Sequence, residues 1–355
     1  MNKIIVLTLS VFFIQIAVFA QTPANDPHWK LKWRDAFDAF DANKWIISPY
    51  TDHYYDSVKN SGYKYHVCIA KNVRVENGNL TIAVNNDTAT CPNPAPPPIS
   101  GACGSCTPGR FYNYTGGWIE TKSNNNTQTQ FGYIEARMKL PYRERFYLSF
   151  WTFLKEGASG NAAEIDIFEI RGKNPVNVLP TNVHTHFNFN EGFQQNVIIS
   201  DPNFSYTDWH NYAIEWDANR IIWYVDGKSV RTLTNHGVID PVRIIFSMGI
   251  DPYIEILPPL APFQDLVFID SIRVSQLQYD CKDEITPITD LSTYNYEVKK
   301  SITLGAPTIV PQNSNITLRA TDFIELQSGF SVPEGTEMYL DITPCYSARV
   351  VQKQD

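Results

Sequence analysis

Apolar and polar residues alternate along most of this chain with the period of two that a half-buried strand requires. From Val73 the order Val-Arg-Val-Glu-Asn-Gly-Asn-Leu-Thr-Ile-Ala-Val alternates on both sides of Asn77-Gly78, the pair best suited to a two-residue hairpin turn. Further strands are predicted at Gly117–Ser123, Phe131–Leu140, Phe146–Leu154, 164–170 and Val183–Phe189. A hairpin pair follows at Tyr212–Trp216 and Ile221–Val225, with turns at Asp217–Asn219 and Asp226-Gly227, and then strands at Val242–Met248 and Leu266–Val274. Trp29, Trp33, Phe37, Phe40 and Trp45 stand among aspartates and predict an entry strand and turn that lay aromatic rings on the core. No helical periodicity is sustained anywhere. Many one-faced strands need a second layer to cover them, so the fold expected is all-β, a jelly-roll β-sandwich of the concanavalin A-like kind.

Two stretches break the pattern. Residues 87–113 carry Pro92, Pro94, Pro96, Pro97 and Pro98 with three cysteines and read as a stapled surface loop. Past Cys281 the composition shifts to short β segments, Ser301–Leu304, Thr308–Val310, Asn315–Leu318, Phe323–Leu326 and Met338–Ile342, divided by Pro, Gly and Asn turns. Their spacing predicts stacked rungs in a small accessory module over 283–355, with the sandwich at 25–280. The basic start and apolar run to Ala20 have the layout of a secretory signal peptide over residues 1–20; a membrane anchor is disfavoured because Ser10 and Gln15 interrupt a segment slightly short for a span.

Composition narrows the partners. With 355 residues there is room for one large domain and a small one. A net charge of −8 argues against nucleic acid or an anionic membrane, whereas 13% aromatic and only 19% charged residues suit a neutral substrate. A monomer in the extracellular space or periplasm is expected. In an exported chain Cys68, Cys91, Cys103, Cys106, Cys281 and Cys345 predict disulfides. Cys281 and Cys345 bracket the C-terminal segment and are expected to close it, while the other four leave three pairings open. Cys103-Gly-Ser-Cys106 as a redox or metal pair is the weaker reading.

The candidate chemistry lies in Glu164-Ile165-Asp166-Ile167-Phe168-Glu169. Three carboxylates in an apolar, β-branched run are costly to bury, unless the run is merely an edge strand whose acids face water. Glu164 and Asp166 share one face, but Glu169 has the wrong parity. A β-bulge between Asp166 and Glu169 would restore it. The two glutamate backbones would then lie roughly 13 Å apart at ~3.3 Å per step, close enough for leaning carboxyls to approach the ~5–5.5 Å of a retaining glycosidase.

At this point the chain resembles glycoside hydrolase family 16 over roughly residues 30–277. The resemblance is carried by Trp33-Arg-Asp-Ala-Phe37 with Lys44-Trp45, Val75-Glu-Asn-Gly-Asn-Leu80, Phe131-Gly-Tyr-Ile-Glu-Ala-Arg-Met-Lys-Leu-Pro141, Phe150-Trp151 and the acidic run. Trp209-His-Asn-Tyr-Ala-Ile-Glu-Trp216, Tyr224-Val-Asp-Gly-Lys228 and Phe268-Ile-Asp-Ser-Ile-Arg-Val274 continue it in order. It implies Glu164 as nucleophile, Glu169 as general acid/base and Asp166 between them as tuner. It also implies Trp151 stacking on a sugar, with Phe150 turned to the core. His184, on one strand face with His186, would bind substrate or tune Glu169, and His186 is expected either in the cleft or as a structural residue. The chemistry requires no cofactor, and a metal on the two histidines is disfavoured. A structural calcium, held by Asp270 and backbone oxygens near Gly78, is left open, since Asp35-Ala36-Phe37 departs from the family's usual Asp-Glu-Phe. Arg143 and Arg145 are expected to be solvated.

The expected activity is endo-acting, retaining hydrolysis of a β-linked polysaccharide, β-1,3- or β-1,3-1,4-glucan first. An agar-, porphyran- or carrageenan-type galactan, a transglycosylase, and a lectin on the same sandwich are the alternatives. The C-terminal segment is similar to β modules appended to exported proteins of the Bacteroidota, and its role is left open.

Overall fold

The structure, a computed structural model, describes residues 26–52, 66–99, 104–124, 126–154, 163–172, 174–185, 193–251, 263–280, 286–287, 289–294, 297–343 and 345. The proposed leader, His186, Cys103 and Cys281 therefore lie outside the described residues. Within them nearly every regular element is a strand, and no helix is long and apolar enough to cross a membrane.

Two antiparallel layers form the sandwich. The outer one runs in spatial order Val73–Glu76, Asn79–Asn85, Gln264–Leu277, Gly132–Lys139, Trp209–Trp216, Arg220–Val225 and Lys228–Thr234, with Trp29–Asp35 beside the far half of Gln264–Leu277. The inner one runs Trp45–Ile47, Tyr114–Thr121, Val242–Ile250, Phe146–Leu154, Ala163–Arg171, Val178–Thr185 and Gln195–Ile198. Tyr114–Thr121 belongs to both. Its start pairs with His66–Cys68 and Asn85 of the outer layer and its end with Val242–Ile250 of the inner one. The crossing point is Gly116, where a Cβ would stand 2.3 Å from the Met248 carbonyl oxygen, so no larger residue fits.

The expected hairpin is present, with Asn77 and Gly78 both at positive φ (52° and 71°), as its turn type demands. Between the layers one face of each strand interdigitates: Phe150 stacks on Phe246 at 4.7 Å, and Phe168 meets Tyr212 edge-on at 5.1 Å. Each such ring removed from water contributes on the order of 1.5–3 kcal/mol. Trp33, Phe37 and Trp45 join this core as expected, but Phe40 is exposed, and Trp29 packs on the opposite face of the outer sheet against Tyr133. Trp29 and Trp33 share parity, and the register shift between Leu31 and Trp33 puts them on opposite faces; Phe40 sits in the turn beyond the first strand, where nothing fixes its side chain inward.

A second sheet follows, with its own core of Leu291, Ile302, Leu304, Ile316 and Leu318. Its strands, Tyr279–Asp280, Thr286–Pro287, Val298–Leu304, Asn315–Leu326 and Glu337–Ile342, pair parallel throughout, as stacked rungs must. Two expectations change. Asn315–Leu318 and Phe323–Leu326 are parts of one strand of 12 residues, pairing first with Glu337–Ile342 and then with Val298–Leu304. Thr308–Val310 supplies only a bridge from Ile309 to Asp290. The second sheet also begins at Tyr279, before the expected start at residue 283.

This sheet is fastened to the outer layer by a buried charge network. Arg319, 2% exposed, donates to Asp26 (2.9 Å) and to Asp341 and lies 3.9 Å from Glu215; Arg220 reaches Asp341 at 2.9 Å. Asp26 also accepts from His28, whose other ring nitrogen meets the Tyr294 hydroxyl at 3.0 Å. Of the open disulfide pairings, Cys91–Cys106 is formed and staples the proline-rich loop. Cys68 is buried, and Cys345 is disulfide-bonded.

Candidate active site

The acidic run occupies Ala163–Arg171, an interior strand of the inner layer between Phe146–Leu154 and Val178–Thr185. The strand is paired on both sides through Asp166 and none of its three acids is exposed, so they are not the water-facing acids of an edge strand. Phe150 pairs with Phe168 and Trp151 with Asp166, so Ile167 is one residue too many for its partner. This is the bulge that parity required. Beyond it Glu169 lies opposite Ser149 and Arg171 opposite Tyr147, on the face already used by Glu164 and Asp166.

The three carboxyls converge. Asp166, 1% exposed, lies between the glutamates, where a protonated carboxyl of either can share its hydrogen with it. No other N–H or O–H donor of the described residues reaches either Asp166 oxygen. Burial pushes all three pKa values up, and repulsion adds to it at Glu164 and Asp166. Glu164 is carried to about 8 by desolvation and by the charge of Glu169, with the Asp166 hydrogen bond pulling it back. Asp166 rises well above the ordinary range through burial and then its two neighbours. Glu169 is raised by burial, while the Tyr147 hydroxyl and the nearby Arg171 draw it down. Tyr147 and Arg171 thus favour the charged form of Glu169 against its burial.

His184 pairs in register with Glu164, and its Nε2 lies 3.7 Å from both Glu164 and Asp166. The carboxyls it approaches are thus those two, where tuning of Glu169 was expected. Burial holds its pKa low, so the ring is neutral. The backbone N–H of Val183 donates to Asn182 Oδ1 (2.9 Å), which turns the Asn182 amide nitrogen toward His184 Nε2 at 2.9 Å. His184 Nε2 then accepts, and its proton sits on Nδ1.

Trp151 faces the acids and Phe150 the core, as parity predicts. Trp151 is only 7% exposed, because Trp118 meets it edge-on at 5.3 Å and Ile99 of the stapled loop and Phe153 close around it; its Nε1 donates to Ser247 Oγ at 3.3 Å. Beside it Trp118 donates to Glu120, which pairs with Arg243 at 3.3 Å. Tyr147, Asn182, Trp118 and Ser247 were not singled out from the sequence. Tyr147 could have been, since it shares the parity of Trp151 on one strand.

Among the described residues Glu164, Asp166 and His184 are the group of His, Cys, Asp and Glu side chains whose donor atoms lie within metal-binding distance of one another. The Asp270 carboxylate lies 3.8 Å from the Arg137 guanidinium and accepts from Ser271 Oγ, and Gly78 sits in the hairpin turn. Arg143 is partly exposed, but it pairs with Asp265 and lies over the Phe263 ring.

The family model described as Glycosyl hydrolases family 16 matches residues 62–248. Glucan endo-1,3-beta-glucosidase A1 of Niallia circulans is 28% identical over 220 residues, 58% of this chain and 29% of its own length. The Beta-glucanase of Rhodothermus marinus is 29% identical over 225 residues, 61% of this chain and 69% of its own. The chain thus spans less than a third of the first relative and about two thirds of the second. The laminarinase structure from Flavobacterium sp. UMI-01 is 25% identical, covers 70% of this chain and 100% of its own, and superposes with a TM-score of 0.52.

Proposed function

The chain belongs to glycosyl hydrolase family 16, and from that premise we propose an exported, endo-acting enzyme that hydrolyses β-1,3- or mixed-linkage β-1,3-1,4-glucan with retention at the anomeric carbon. The observation that carries this reading is the bulge at Ile167, which turns three carboxyls of one strand onto one face. The glucan is supported by relatives named as a glucan endo-1,3-beta-glucosidase, a beta-glucanase and a laminarinase.

In the first step a Glu164 oxygen bonds to the anomeric carbon as the glycosidic C–O bond breaks, and Glu169 gives its proton to the departing sugar oxygen. In the second, water attacks that carbon, Glu169 takes the water's proton, and Glu164 leaves. Attack needs a charged Glu164 and a protonated Glu169. Asp166 touches both and can pass the proton between them without a net charge entering or leaving the cluster. Tyr147 anchors the Glu169 carboxyl in either state, because its hydroxyl rotates between donating and accepting. Neutral His184, with Nε2 held by Asn182, adds no charge and fixes the floor beside Glu164.

Incubation with laminarin, lichenan, agarose, porphyran and carrageenan, followed by reducing ends and by NMR of the first-formed anomer, tests this. Release of β-anomeric glucan oligosaccharides is expected. Cleavage of a galactan alone would overturn the substrate, longer products without new reducing ends would indicate glycosyl transfer, and binding without cleavage would indicate a lectin.

A further inference from the structure

We propose that Trp223 is a positioning residue for the acidic strand, its indole N–H holding the bulge that turns Glu169 toward Glu164. The inference rests on the hydrolase reading above and adds to it a residue from the opposite layer. Trp223 belongs to Arg220–Val225 of the outer sheet and is 1% exposed. Its Nε1 donates to the backbone carbonyl of Asp166 at 2.9 Å. Asp166 immediately precedes Ile167, the extra residue of the bulge.

A ladder carbonyl lies in the plane of its sheet and is satisfied by the next strand. The Asp166 carbonyl accepts from a ring of the facing layer, a bond made inside the core, where no water can replace the indole. A regular strand would turn that carbonyl away from the indole and send Glu169 to the wrong face. The indole N–H therefore selects the bulged form.

The ring is itself held. The Arg231 guanidinium lies over it, 4.5 Å from the centroid, and is buried. Arg231 donates to Thr181 Oγ1 at 2.6 Å and to the Phe193 carbonyl. Thr181 lies on Val178–Thr185, the strand that carries Asn182 and His184. One contact chain thus fixes, from beneath, both strands that line the acidic cluster. A cation over an indole face also draws electron density from the ring and makes its N–H a better donor.

Trp223 touches no reacting atom, so its removal is read against a matched control. Trp216 is equally buried in the same core and donates from Nε1 to the Val238 carbonyl at 2.7 Å, away from the acidic strand. Trp223→Phe and Trp216→Phe each delete one indole N–H and similar apolar volume. Trp223→Phe is expected to lower kcat by about tenfold to a hundredfold, with KM within about twofold and the pH profile displaced. Trp216→Phe is expected to lose Tm to a similar degree with kcat and pH profile unchanged. A wild-type kcat and profile in Trp223→Phe, or equal kcat losses in both, overturns the proposal. Should Trp223→Phe fail to fold, Arg231→Met leaves the indole and removes its cation; a kcat loss of about severalfold with the same pH displacement supports the proposal, and a wild-type profile counts against it. If the wild type cleaves no glycan, the substrate reading falls separately. The positioning role is then read from 13C titration of the glutamate carboxyls, whose midpoints shift in Trp223→Phe and not in Trp216→Phe, and three identical curves overturn it.

Discussion

Two buried clusters of charge sit in this molecule, and they are built on opposite principles. At the seam between the sandwich and the second sheet, the carboxylates of Asp26, Glu215 and Asp341 surround Arg319, with Arg220 beside them. Arg319 and the neighbouring bonds hold Asp26 and Asp341 below the usual carboxylate range in spite of burial, and the acids in turn raise Arg319. At the cleft, Arg171 beside Glu169 does not offset three crowded acids, and the pKa values of Glu164, Asp166 and Glu169 all rise. Desolvation with a matching charge gives a fixed joint. Desolvation with too little of it gives groups that exchange protons near neutral pH, which a rigid joint could not do.

Glu164→Gln breaks the contrast most completely. It should lower glucan hydrolysis by about a thousandfold or more, because the proposed nucleophile is gone, while Tm holds or rises because repulsion in the cluster falls. Reducing-sugar release and a melting curve on the same preparation check both halves; an unchanged rate would sink the mechanism. Arg319→Leu should do the reverse. Stranding three buried carboxylates costs on the order of 3–5 kcal/mol, seen as a drop in denaturation midpoint, with the kcat of the folded fraction preserved. An unaltered midpoint would mean the seam bears no strain.

Tyr147→Phe sharpens the picture on the cleft side. Loss of the hydroxyl removes a force lowering Glu169, so the alkaline limb of the rate profile should move to higher pH and kcat should fall about tenfold. An unshifted limb would detach Tyr147 from the proton economy of the site.

The smallest expected effect is in the pH dependence of stability. The cleft acids bind protons more tightly folded than unfolded, so their contribution is complete below the ordinary glutamate value of 4.5 and fades as pH climbs toward about 8. Asp26 and Asp341 work oppositely, contributing above the ordinary aspartate value of 3.8 and failing as pH drops through their lower folded values. Between these limits Tm should fall with rising pH by about 2–4 °C, and Glu164→Gln should flatten that slope. Scanning calorimetry from pH 5 to 8 would show it, and equal slopes in both proteins would refute the assignment.

Much of the cleft could be read from the sequence because strand parity is local. The distance from Asp166 to Glu169 demands a bulge whatever the rest of the chain does, and Phe150 and Trp151 sort to opposite faces by adjacency alone. What joins distant segments left no such trace. Trp223 reaches Asp166 across 57 positions, and Arg319 reaches Asp26 across 293. In each case an ordinary residue of a strand acquires its role only when two sheets meet. The same holds for the cysteines, where spacing allowed several pairings and folding selected Cys91 with Cys106. His184 was placed on the correct strand, but the register that sets it opposite Glu164 depends on how two strands align.

The bond between Asp26 and Arg319 also has a temporal side. During synthesis Asp26 leaves the ribosome 293 residues ahead of the arginine that neutralises it. Until the second sheet arrives, the outer face of the sandwich keeps Asp26 and Glu215 hydrated and the Trp29 ring without the guanidinium that lies over it. A chain that stops before Arg319 leaves both acids without the guanidinium that pairs them.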